Sequence, residues 1–350
     1  MKIAMICFTL TGWQTGEMVK EGLEKTGHQA ELFCKSRYLP RSIKESTKDW
    51  AKEQFEKADG LIFMGATGIA VRSIAPYVQS KKKDPAVLVI DECGKFVISL
   101  LSGHLGGANK LALQAAEILG AIPVVTTATD LHKKFAVDVF AKQNNCHIFR
   151  MKEAKEVSAA LLAGKQVGFY SDFPWEGELP EGLIWWDGKE AKGQTKPEIG
   201  IAVTIHKNCQ PFQSTTHVVP QAAVLGMGCR KGKEPESVER AALECLQKNQ
   251  IYPEAIWCLA SIDVKKEEAG LLALSEKLGI PFLTFSSEEL LAVEGEFTSS
   301  AFVKQTVGVD NVCERSALKA AYPGHIIQKK QGKEGVTTAL ALREWRICFE

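Results

Sequence analysis

A glycine-rich turn between an apolar run and a helical pattern constrains the fold of this chain more than any other feature. Ser102–Asn109 reads Ser-Gly-His-Leu-Gly-Gly-Ala-Asn, with three glycines in five consecutive positions. The apolar run Phe96–Leu100 precedes it and predicts a strand, entered through a hairpin turn at Glu92–Lys95. Apolar residues then recur at helical spacing at Ala108, Leu111, Ala112, Ala115 and Leu119. A strand, a bare turn and a helix in this order predict an α/β fold.

The first 135 residues repeat this alternation of strands and helices. The other strands predicted here are Ile3–Phe8, Gln29–Cys34, Gly60–Met64, Ala86–Ile90 and Ile122–Val125. Polar or glycine-rich loops follow three of them, at residues 9–16, 65–68 and 126–130. Ligands bind outside the carboxyl ends of the strands in an open α/β sheet. We therefore expect these loops to converge on one edge of a doubly wound sheet, with Asp91 and His104 nearby.

Composition divides the chain into three expected domains. A chain of 350 residues has room for two or three of them. We expect an N-terminal α/β domain at residues 1–135, a small middle α+β domain at residues 136–220, and a C-terminal α/β domain at residues 221–350. The middle segment mixes short predicted strands with Gly and Pro. Its tryptophans, which we interpret as packing in a small core or at an inter-domain contact, are Trp175, Trp185 and Trp186.

Charge and cysteine usage narrow the class of protein. The net charge is +1, so no global field favours nucleic acid or an anionic membrane. No stretch approaches the ~18 apolar residues that a bilayer-spanning helix needs. The ten cysteines never form a Cys-x-x-Cys pair. We interpret them as reduced thiols and expect a cytoplasmic protein.

His104 is the titratable side chain of the glycine-rich turn. A helix N-terminus offers unpaired N–H groups and a partial positive charge, which suit a carboxylate or a developing oxyanion. The same field disfavours an imidazolium, so we expect His104 to be neutral and able to accept a proton. The alternative is a structural histidine in an ordinary strand-to-helix turn.

Two further N-terminal turns have the composition of anion-binding loops. Gly65, Thr67 and Gly68 open a short predicted helix, with Arg72 one turn later. Thr9–Gly16 follows the first strand and is similar to the phosphate loop of a flavodoxin. That similarity leaves open a flavodoxin-like redox protein that binds FMN.

Polar residues also follow predicted strands near the C-terminus. Cys229 and Arg230 come after the strand Ala222–Met227, and Ser261–Lys266 comes after the next one. A guanidinium at a strand end can bind a carboxylate through two parallel hydrogen bonds. Arg230 and Lys265 are therefore the cations most expected to bind anionic groups.

Taken together, these motifs resemble those of the cobalt-precorrin-5A hydrolase family of anaerobic cobalamin biosynthesis. The segments that carry the resemblance are Gly65–Gly68, Val89–Asp91, Ser102–Asn109, Gly226–Arg230, Leu259–Lys266 and Gly308–Glu314. They stand in the family's order of N-terminal, middle and C-terminal domains. The middle segment is the least distinctive part.

The resemblance implies a hydrolase that acts on a cobalt-bearing, ring-contracted tetrapyrrole. Water would open the δ-lactone between the ring A acetate and C20, and C20 would leave with its methyl group as acetaldehyde, giving cobalt-precorrin-5B. Such a reaction needs an activated water, donors for a tetrahedral oxyanion, and a base for the carbon–carbon cleavage. Because the cobalt arrives inside the substrate, we expect no cofactor and no metal site in the protein.

On this basis we assign expected roles. His104 is the base and proton shuttle, Asp91 orients it or carries the proton onward, and backbone N–H groups at Gly106, Gly107 and Ala108 hold the oxyanion. Asp91 has an alternative reading as the carboxylate that caps the hairpin turn. The residues expected to bind the substrate or its oxyanion are Gly65, Thr67, Gly68, Arg72, Ser102, Gly103, Gly106, Gly107, Ala108, Asn109, Thr127, Cys229, Arg230, Ser261, Asp263 and Lys265.

Two alternatives remain open alongside the hydrolase. A non-catalytic carrier could pass the tetrapyrrole between pathway methyltransferases, with which transient contact is also expected for the enzyme. His104 could instead be an axial ligand of the cobalt in the macrocycle.

Overall fold

The chain divides into two compact units. The computed structural model describes residues 1–350 except 40, 81–82, 105, 128–133, 189–194, 301–304, 306 and 350. The first unit is Met1–Val139 and the second unit is Phe140–Glu350. Among the described residues, no helix has the length and apolar character that crossing a membrane requires.

A six-stranded sheet forms the centre of the first unit, in the order β2-β1-β3-β4-β5-β6. Its strands are β1 (Lys2–Cys7), β2 (Gln29–Cys34), β3 (Gly60–Met64), β4 (Ala86–Ile90), β5 (Phe96–Leu101) and β6 (Ile122–Val124). The strands β1 to β4 run parallel, β5 runs antiparallel to β4, and β6 runs parallel to β5.

Helices cover both faces of this sheet, which confirms the predicted doubly wound fold. They are α1 (Leu10–Lys25), α2 (Thr47–Lys57), α3 (Thr67–Ile74) and α4 (Ala108–Leu119). Val19 of α1 and Leu111 of α4 belong to one buried apolar cluster. Trp50 of α2 and Ala70 of α3 belong to the cluster on the opposite face. Each face of the sheet therefore buries its own helix pair, with a short 3₁₀ turn, Ala75–Tyr77, after α3.

The segment predicted as a flavodoxin-like loop is helical. Helix α1 begins at Leu10, so residues 10–16 form its first turns, and Gly12 and Gly16 are buried in it. The Thr9 hydroxyl accepts a hydrogen bond from the Gly12 N–H and caps the helix. An open phosphate-binding loop is therefore not formed at Thr9–Gly16, because its backbone groups are committed to the helix.

The expected convergence of three loops on one edge is corrected by the direction of β5. The short hairpin after β4 reverses the chain, and Ile90 pairs with Val97 while Val87 pairs with Leu101. The carboxyl ends of β1, β3 and β4 lie at one edge of the sheet, here called the first edge. Because β5 and β6 run the other way, their carboxyl ends lie at the opposite edge, here called the second edge.

Helix α5 (Val137–Gln143) spans the division between the units, and two five-stranded sheets form most of the second unit. The first of them has the order β10-β8-β11-β12-β7. Strands and helix in this part of the chain are β7 (Cys146–Phe149), α6 (Met151–Leu162), β8 (Val167–Ser171), β9 (Trp175–Glu176), β10 (Leu183–Trp185), β11 (Ile199–Val203) and β12 (Ser214–Pro220).

Aromatic packing stabilises this sheet. Gly168 and Gly200 are paired on neighbouring strands, and a Cβ atom at either would lie 2.2 Å from the Phe212 ring. Both positions must therefore stay without a side chain for the ring to pack there. The ring centroids of Trp175 and Trp185 lie 4.7 Å apart, which confirms these tryptophans as packing residues. Trp186 is buried as well.

The second five-stranded sheet has the order β15-β14-β13-β17-β16. The elements around it are β13 (Ala223–Cys229), α7 (Pro235–Lys248), β14 (Ile256–Ile262), α8 (Ala269–Leu278), β15 (Phe282–Phe285), α9 (Ser287–Leu291), α10 (Cys313–Ala321), β16 (Gly324–Lys333), β17 (Val336–Arg343) and β18 (Ile347–Cys348), with 3₁₀ turns at Pro253–Ala255 and Asp263–Lys265. Strands β13 to β15 are parallel, and the β16–β17 hairpin joins them antiparallel through β17. The short strand β18 pairs with β9. Both five-stranded sheets thus lie in the second unit, one built from strands within residues 146–220 and the other from strands within residues 223–343.

Candidate active site

The glycine-rich turn at residues 102–107, here called the His104 turn, lies at the second edge, between the end of β5 and the start of α4. Its backbone is tightly folded, because Ala108 donates its N–H to Ser102 O at 3.1 Å and Asn109 donates to Gly103 O at 3.0 Å. The Gly107 N–H donates to His104 O at 3.0 Å. Leu105, within the same motif, lies outside the described residues. The hydrogen bonds fix the backbone that carries the imidazole.

Glycine is required at two points of this turn by close packing. A Cβ atom at Gly106 would lie 2.3 Å from the Ser102 Cβ, and one at Gly103 would lie 2.8 Å from the Asn109 Oδ1. Gly107 is the N-cap of α4 and has a φ of 86°, in the left-handed region that glycine adopts without strain. The three glycines therefore shape the turn as well as clearing space around it.

The structure changes the assignment of oxyanion donors. The N–H groups of Gly107 and Ala108 are engaged with His104 O and Ser102 O, so they are not available to a ligand in this conformation. Gly106 N–H donates no hydrogen bond among the described residues. Of the three predicted donors, Gly106 is thus the one that the turn leaves open.

A chain of side-chain hydrogen bonds joins the His104 turn to the loop after β6. Asn109 is 8% exposed. Its Oδ1 accepts from the Ser99 hydroxyl at 2.6 Å, and its Nδ2 donates to Thr127 Oγ1 at 3.1 Å. Ser102, Gly103, Asn109 and Thr127 were expected to share one site, and they do lie together. Residues 128–130 of the same predicted loop lie outside the described part of the chain.

Asp138 lies beside His104, and sequence reasoning missed it. The His104 Nδ1 is 3.6 Å from the Asp138 Oδ1, and the two side chains are 14% and 19% exposed. Asp138 is in the first turn of α5 and its Oδ1 also accepts from the Val139 N–H at 3.1 Å. Nothing in the spacing along the chain pairs these two residues, since they are 34 positions apart, with helix α4 and strand β6 between them.

Asp91 is not the partner of His104. It lies at the start of the hairpin, at the first edge, whereas His104 follows the far end of β5. Six residues of strand, at about 3.3 Å each, separate the two positions by roughly 20 Å. The Asp91 Oδ1 accepts from the Phe96 N–H at 2.6 Å and its Oδ2 from the Cys93 N–H at 3.1 Å. The carboxylate therefore caps the hairpin turn, which was the alternative reading.

The predicted anion-binding turn at Gly65–Arg72 also lies at the first edge. Gly65 follows β3 and donates its N–H to Ile90 O at 2.7 Å, while Thr67 and Gly68 begin α3. The exposed Arg72 side chain folds back over Gly68. The structure thus keeps these residues together but separates them from the His104 turn.

A small cavity on the α2 side of the sheet is linked to the His104 turn through Asp84, which is one of its lining residues. The Ser102 hydroxyl donates to Asp84 O at 3.0 Å, and the Asp84 side chain lines the cavity with Lys52, Phe55 and Tyr77. Its volume is about 180 Å³. That is below the roughly 300–1,000 Å³ of pockets that enclose a drug-sized ligand, so only a side chain of a large substrate would fit.

In the second unit, the predicted cation Lys265 is already paired. Its Nζ lies 2.8 Å from the Glu268 Oε2, and the two side chains are 14% and 8% exposed. The Glu268 Oε1 accepts from the Gly232 N–H at 2.6 Å. Burial opposes ionisation of Glu268, but the hydrogen bonds from Lys265 and Gly232 and the charge of Lys265 outweigh it, so the pKa of Glu268 is lowered. Lys265 therefore holds the turn after β13 through Glu268.

The other predicted residues of the second unit differ in their access to solvent. Ser261 is fully buried and its hydroxyl donates to Met227 O at 2.7 Å, so it links β14 to β13 rather than reaching a ligand. Cys229 ends β13, and burial raises the pKa of its thiol although the nearby Lys265 opposes this. Asp263 begins the 3₁₀ turn after β14. Arg230 is exposed, with its backbone N–H bonded to Gly335 O.

Comparison with known proteins places the whole chain in one family. Residues 49–130 match the family model "Cobalamin synthesis G N-terminal", residues 135–220 match "Cobalamin biosynthesis central region", and residues 223–341 match "Cobalamin synthesis G C-terminus".

Two relatives that are similar over most of the chain carry the same name. A cobalt-precorrin-5A hydrolase from Salmonella typhimurium is 35% identical over 351 residues, which cover 97% of each chain. A cobalt-precorrin-5A hydrolase from Priestia megaterium is 32% identical over 82% of this chain and 79% of the relative. A solved structure described as a cobalamin biosynthesis protein G homolog from Sulfolobus solfataricus aligns over 98% of this chain and 97% of that one, with 21% identity and a TM-score of 0.42. On the sequence relatives and the three family models, this chain belongs to the cobalt-precorrin-5A hydrolase family.

Proposed function

We propose that the protein is a cobalt-precorrin-5A hydrolase. Water opens the δ-lactone formed by the ring A acetate, and C20 leaves with its methyl group as acetaldehyde, which gives cobalt-precorrin-5B. The observation that carries this proposal is the 35% identity to a cobalt-precorrin-5A hydrolase over 97% of both chains. An alignment that covers 97% of both chains spans both units and not a single shared domain.

His104 is the base in this proposal. Its imidazole takes a proton from the water that adds to the lactone carbonyl, and it returns a proton as the tetrahedral intermediate collapses to the ring A acetate and a free hydroxyl. The imidazole then removes the proton of that hydroxyl. The C–O bond becomes the carbonyl of acetaldehyde, and the electrons of the broken carbon–carbon bond stay with the macrocycle. The support for this role is the position of His104 on a rigid turn at a strand's carboxyl end.

Stabilisation of the oxyanion falls to the start of α4. The Gly106 N–H is the predicted donor that the turn leaves open, and the positive end of the α4 dipole lies behind it. One such donor in a site from which water is excluded contributes on the order of 10²–10³ in rate.

Binding of the macrocycle uses cations that are exposed and not already paired within the turn they belong to. Of the three predicted cations, Arg72 and Arg230 are each exposed, whereas the charge of Lys265 is engaged by Glu268. Arg72 lies at the edge of its sheet opposite to the His104 turn. Guanidinium groups bind carboxylates through two hydrogen bonds, and the substrate carries acetate and propionate side chains around its rim.

The deciding experiment is incubation of the purified protein with cobalt-precorrin-5A. Trapped acetaldehyde, together with the mass of cobalt-precorrin-5B, is the expected result. Tight binding of the macrocycle without acetaldehyde would identify the carrier and contradict the hydrolase.

A variant tests the base. We expect His104→Gln to lower kcat by about 10²–10⁴-fold with little change in KM, because a general base contributes that much to rate and little to binding. His147→Gln is the control, since that ring is exposed on β7 in the other unit. Acetaldehyde release at the wild-type rate by His104→Gln would remove His104 from the mechanism.

A further inference from the structure

We propose that Asp138 is the positioning residue for His104: its carboxylate holds the imidazole with the proton on Nδ1 and leaves Nε2 as the basic nitrogen. This inference rests on the proposed hydrolase function for its consequence in catalysis. The geometry that supports it does not depend on that function.

The His104 and Asp138 side chains are close together and mostly buried. The His104 Nδ1 and the Asp138 Oδ1 are 3.6 Å apart, and 14% and 19% of the two side chains is exposed. This distance is beyond a hydrogen bond but within the range of an ion pair. Groups of a catalytic pair are often too far apart in a protein without substrate and approach each other when the substrate excludes water.

His104 and Asp138 are each positioned by a further hydrogen bond within their own segment of the chain. The carbonyl of His104 accepts from the Gly107 N–H at 3.0 Å, which fixes the backbone beneath the imidazole. The Asp138 Oδ1 accepts from the Val139 N–H at 3.1 Å, so the first turn of α5 orients the carboxylate. A pair that is fixed at both ends loses little conformational entropy when its contact shortens.

The chemistry of a carboxylate then selects the tautomer. An ionised Asp has only acceptor oxygens, so the imidazole nitrogen that faces it is stabilised when it carries a proton. In neutral imidazole one nitrogen is protonated and the other is basic. A proton on Nδ1 therefore leaves the lone pair on Nε2, which is the nitrogen that can take a proton from water.

Asp138→Asn tests this role because it keeps the shape of the side chain and removes its charge. The Oδ1 position faces both the His104 Nδ1 and the Val139 N–H. An NH₂ group there donates to Nδ1, at the cost of the Val139 bond, which moves the imidazole proton to Nε2 and removes the base. An amide oxygen there lacks the negative charge that holds the proton on Nδ1. We expect kcat to fall by about 10²-fold or more with KM within about threefold of the wild-type value. Asp138→Glu, which keeps the charge, is expected to recover part of the lost rate.

The matched control is Asp49→Asn. Asp49 lies in the first turn of α2 in the same unit, is exposed, and makes its side-chain bond with Ser46. The control makes the same chemical change in the first turn of another helix. Thermal melts of all variants report whether loss of activity is loss of fold. A fall in kcat for Asp138→Asn no larger than that for Asp49→Asn contradicts the proposal.

A spectroscopic readout separates this inference from the proposed reaction. In protein labelled with ¹⁵N-histidine, the His104 signals are those that disappear in His104→Gln. We expect a protonated Nδ1 and an unprotonated Nε2 in the wild type, and a shift toward protonated Nε2 in Asp138→Asn. Identical ¹⁵N signals in the two proteins overturn the positioning role. Failure of acetaldehyde release in the wild type, with the tautomer shift observed, would instead overturn the hydrolase function alone.

Discussion

At the scale of single residues, His217 shows how a buried histidine can be purely structural. It is completely buried, with Nε2 2.7 Å from Cys209 O and Nδ1 3.0 Å from the Tyr252 hydroxyl. A carbonyl oxygen only accepts hydrogen bonds, so Nε2 carries the proton and Nδ1 accepts from the tyrosine. Both nitrogens of the neutral ring are thus satisfied. Burial, and then the charge of Arg150, lower the pKa of His217.

Removing the Tyr252 hydroxyl should measure how much its hydrogen bond to His217 contributes to stability. We expect Tyr252→Phe to lower the free energy of unfolding by about 1–3 kcal/mol, because it leaves the buried Nδ1 without a donor. Denaturant melts at pH 7.5 measure it. The control is Tyr38→Phe, at a tyrosine that is 79% exposed, where we expect a change within about 0.5 kcal/mol. Equal effects for the two variants would show that the His217 bond contributes nothing to stability.

The sequence can single out a candidate functional residue such as His104, but it cannot identify the residues that contact it in the folded chain. The glycines around His104 single it out, because bare backbone at a strand-to-helix turn has a physical use at a binding site. Asp138 has no such local signal. It lies beside His104 because of where α5 packs, which is a tertiary contact. Partners that meet through tertiary packing could not be read from spacing.

At the scale of elements, the hairpin after β4 decides which residues can share a site. Its turn residues were recognised from the sequence, and a short connection between strands forces them antiparallel. That step already implies that the end of β5 lies away from the end of β4, and hence that Asp91 and His104 lie apart. The predicted hairpin turn is confirmed, but the expectation that Asp91 lies near His104 is wrong. The early start of α1, by contrast, was hidden, because Gly12 and Gly16 lower helix propensity and tertiary packing overrides it.

The close packing of helix α10 on strand β13 can be tested by a substitution at the contact. A Cβ atom at Gly226 would lie 1.9 Å from Cys313 O and 2.8 Å from the Ala317 Cβ. We expect Gly226→Ala to lower the free energy of unfolding by about 1–3 kcal/mol or more, because the helix must move off the strand to admit one methyl group.

Gly332→Ala is the matched control for that variant. A Cβ atom there would have the Thr337 Cγ2 as its neighbour at 3.6 Å, an ordinary van der Waals contact on the same sheet. We expect a change within about 0.5 kcal/mol. Chemical denaturation of both variants, read by circular dichroism, measures the difference. A Gly226→Ala protein as stable as Gly332→Ala would mean that α10 can move outward at no cost.

At the scale of the whole molecule, the groups that make folding sensitive to acid are unevenly distributed. Glu314 is 1% exposed, and burial opposes its ionisation, but N–H donors from Lys330 and Thr298 outweigh this and lower its pKa. The pKa of Glu268 is lowered in a similar way. These carboxyls and His217 all lie in the second unit. In the first unit, burial raises the pKa values of the Cys7 and Cys34 thiols, which therefore stay neutral in acid.

The sign of each effect is the same as pH falls. His217 has a lowered pKa in the folded state, so below its ordinary value of 6.5 the unfolded chain binds a proton that the folded one does not, and stability is lost. The loss is at most about 1.4 kcal/mol per pH unit for one proton. The stability that Glu268 and Glu314 contribute is present above their ordinary value of 4.5 and is lost as pH falls through their lowered values.

Acid should therefore unfold the second unit before the first. We expect hydrogen–deuterium exchange, corrected for the intrinsic rate at each pH, to show β12 and β16 losing protection between about pH 6.5 and 4 while β1 and β3 keep theirs. The strand β12 carries His217, and β16 carries the Lys330 N–H that binds Glu314. Loss of protection in β1 and β3 at the same or a higher pH would show that the charge distribution does not govern acid unfolding, because the unit without these groups would then be the more sensitive one.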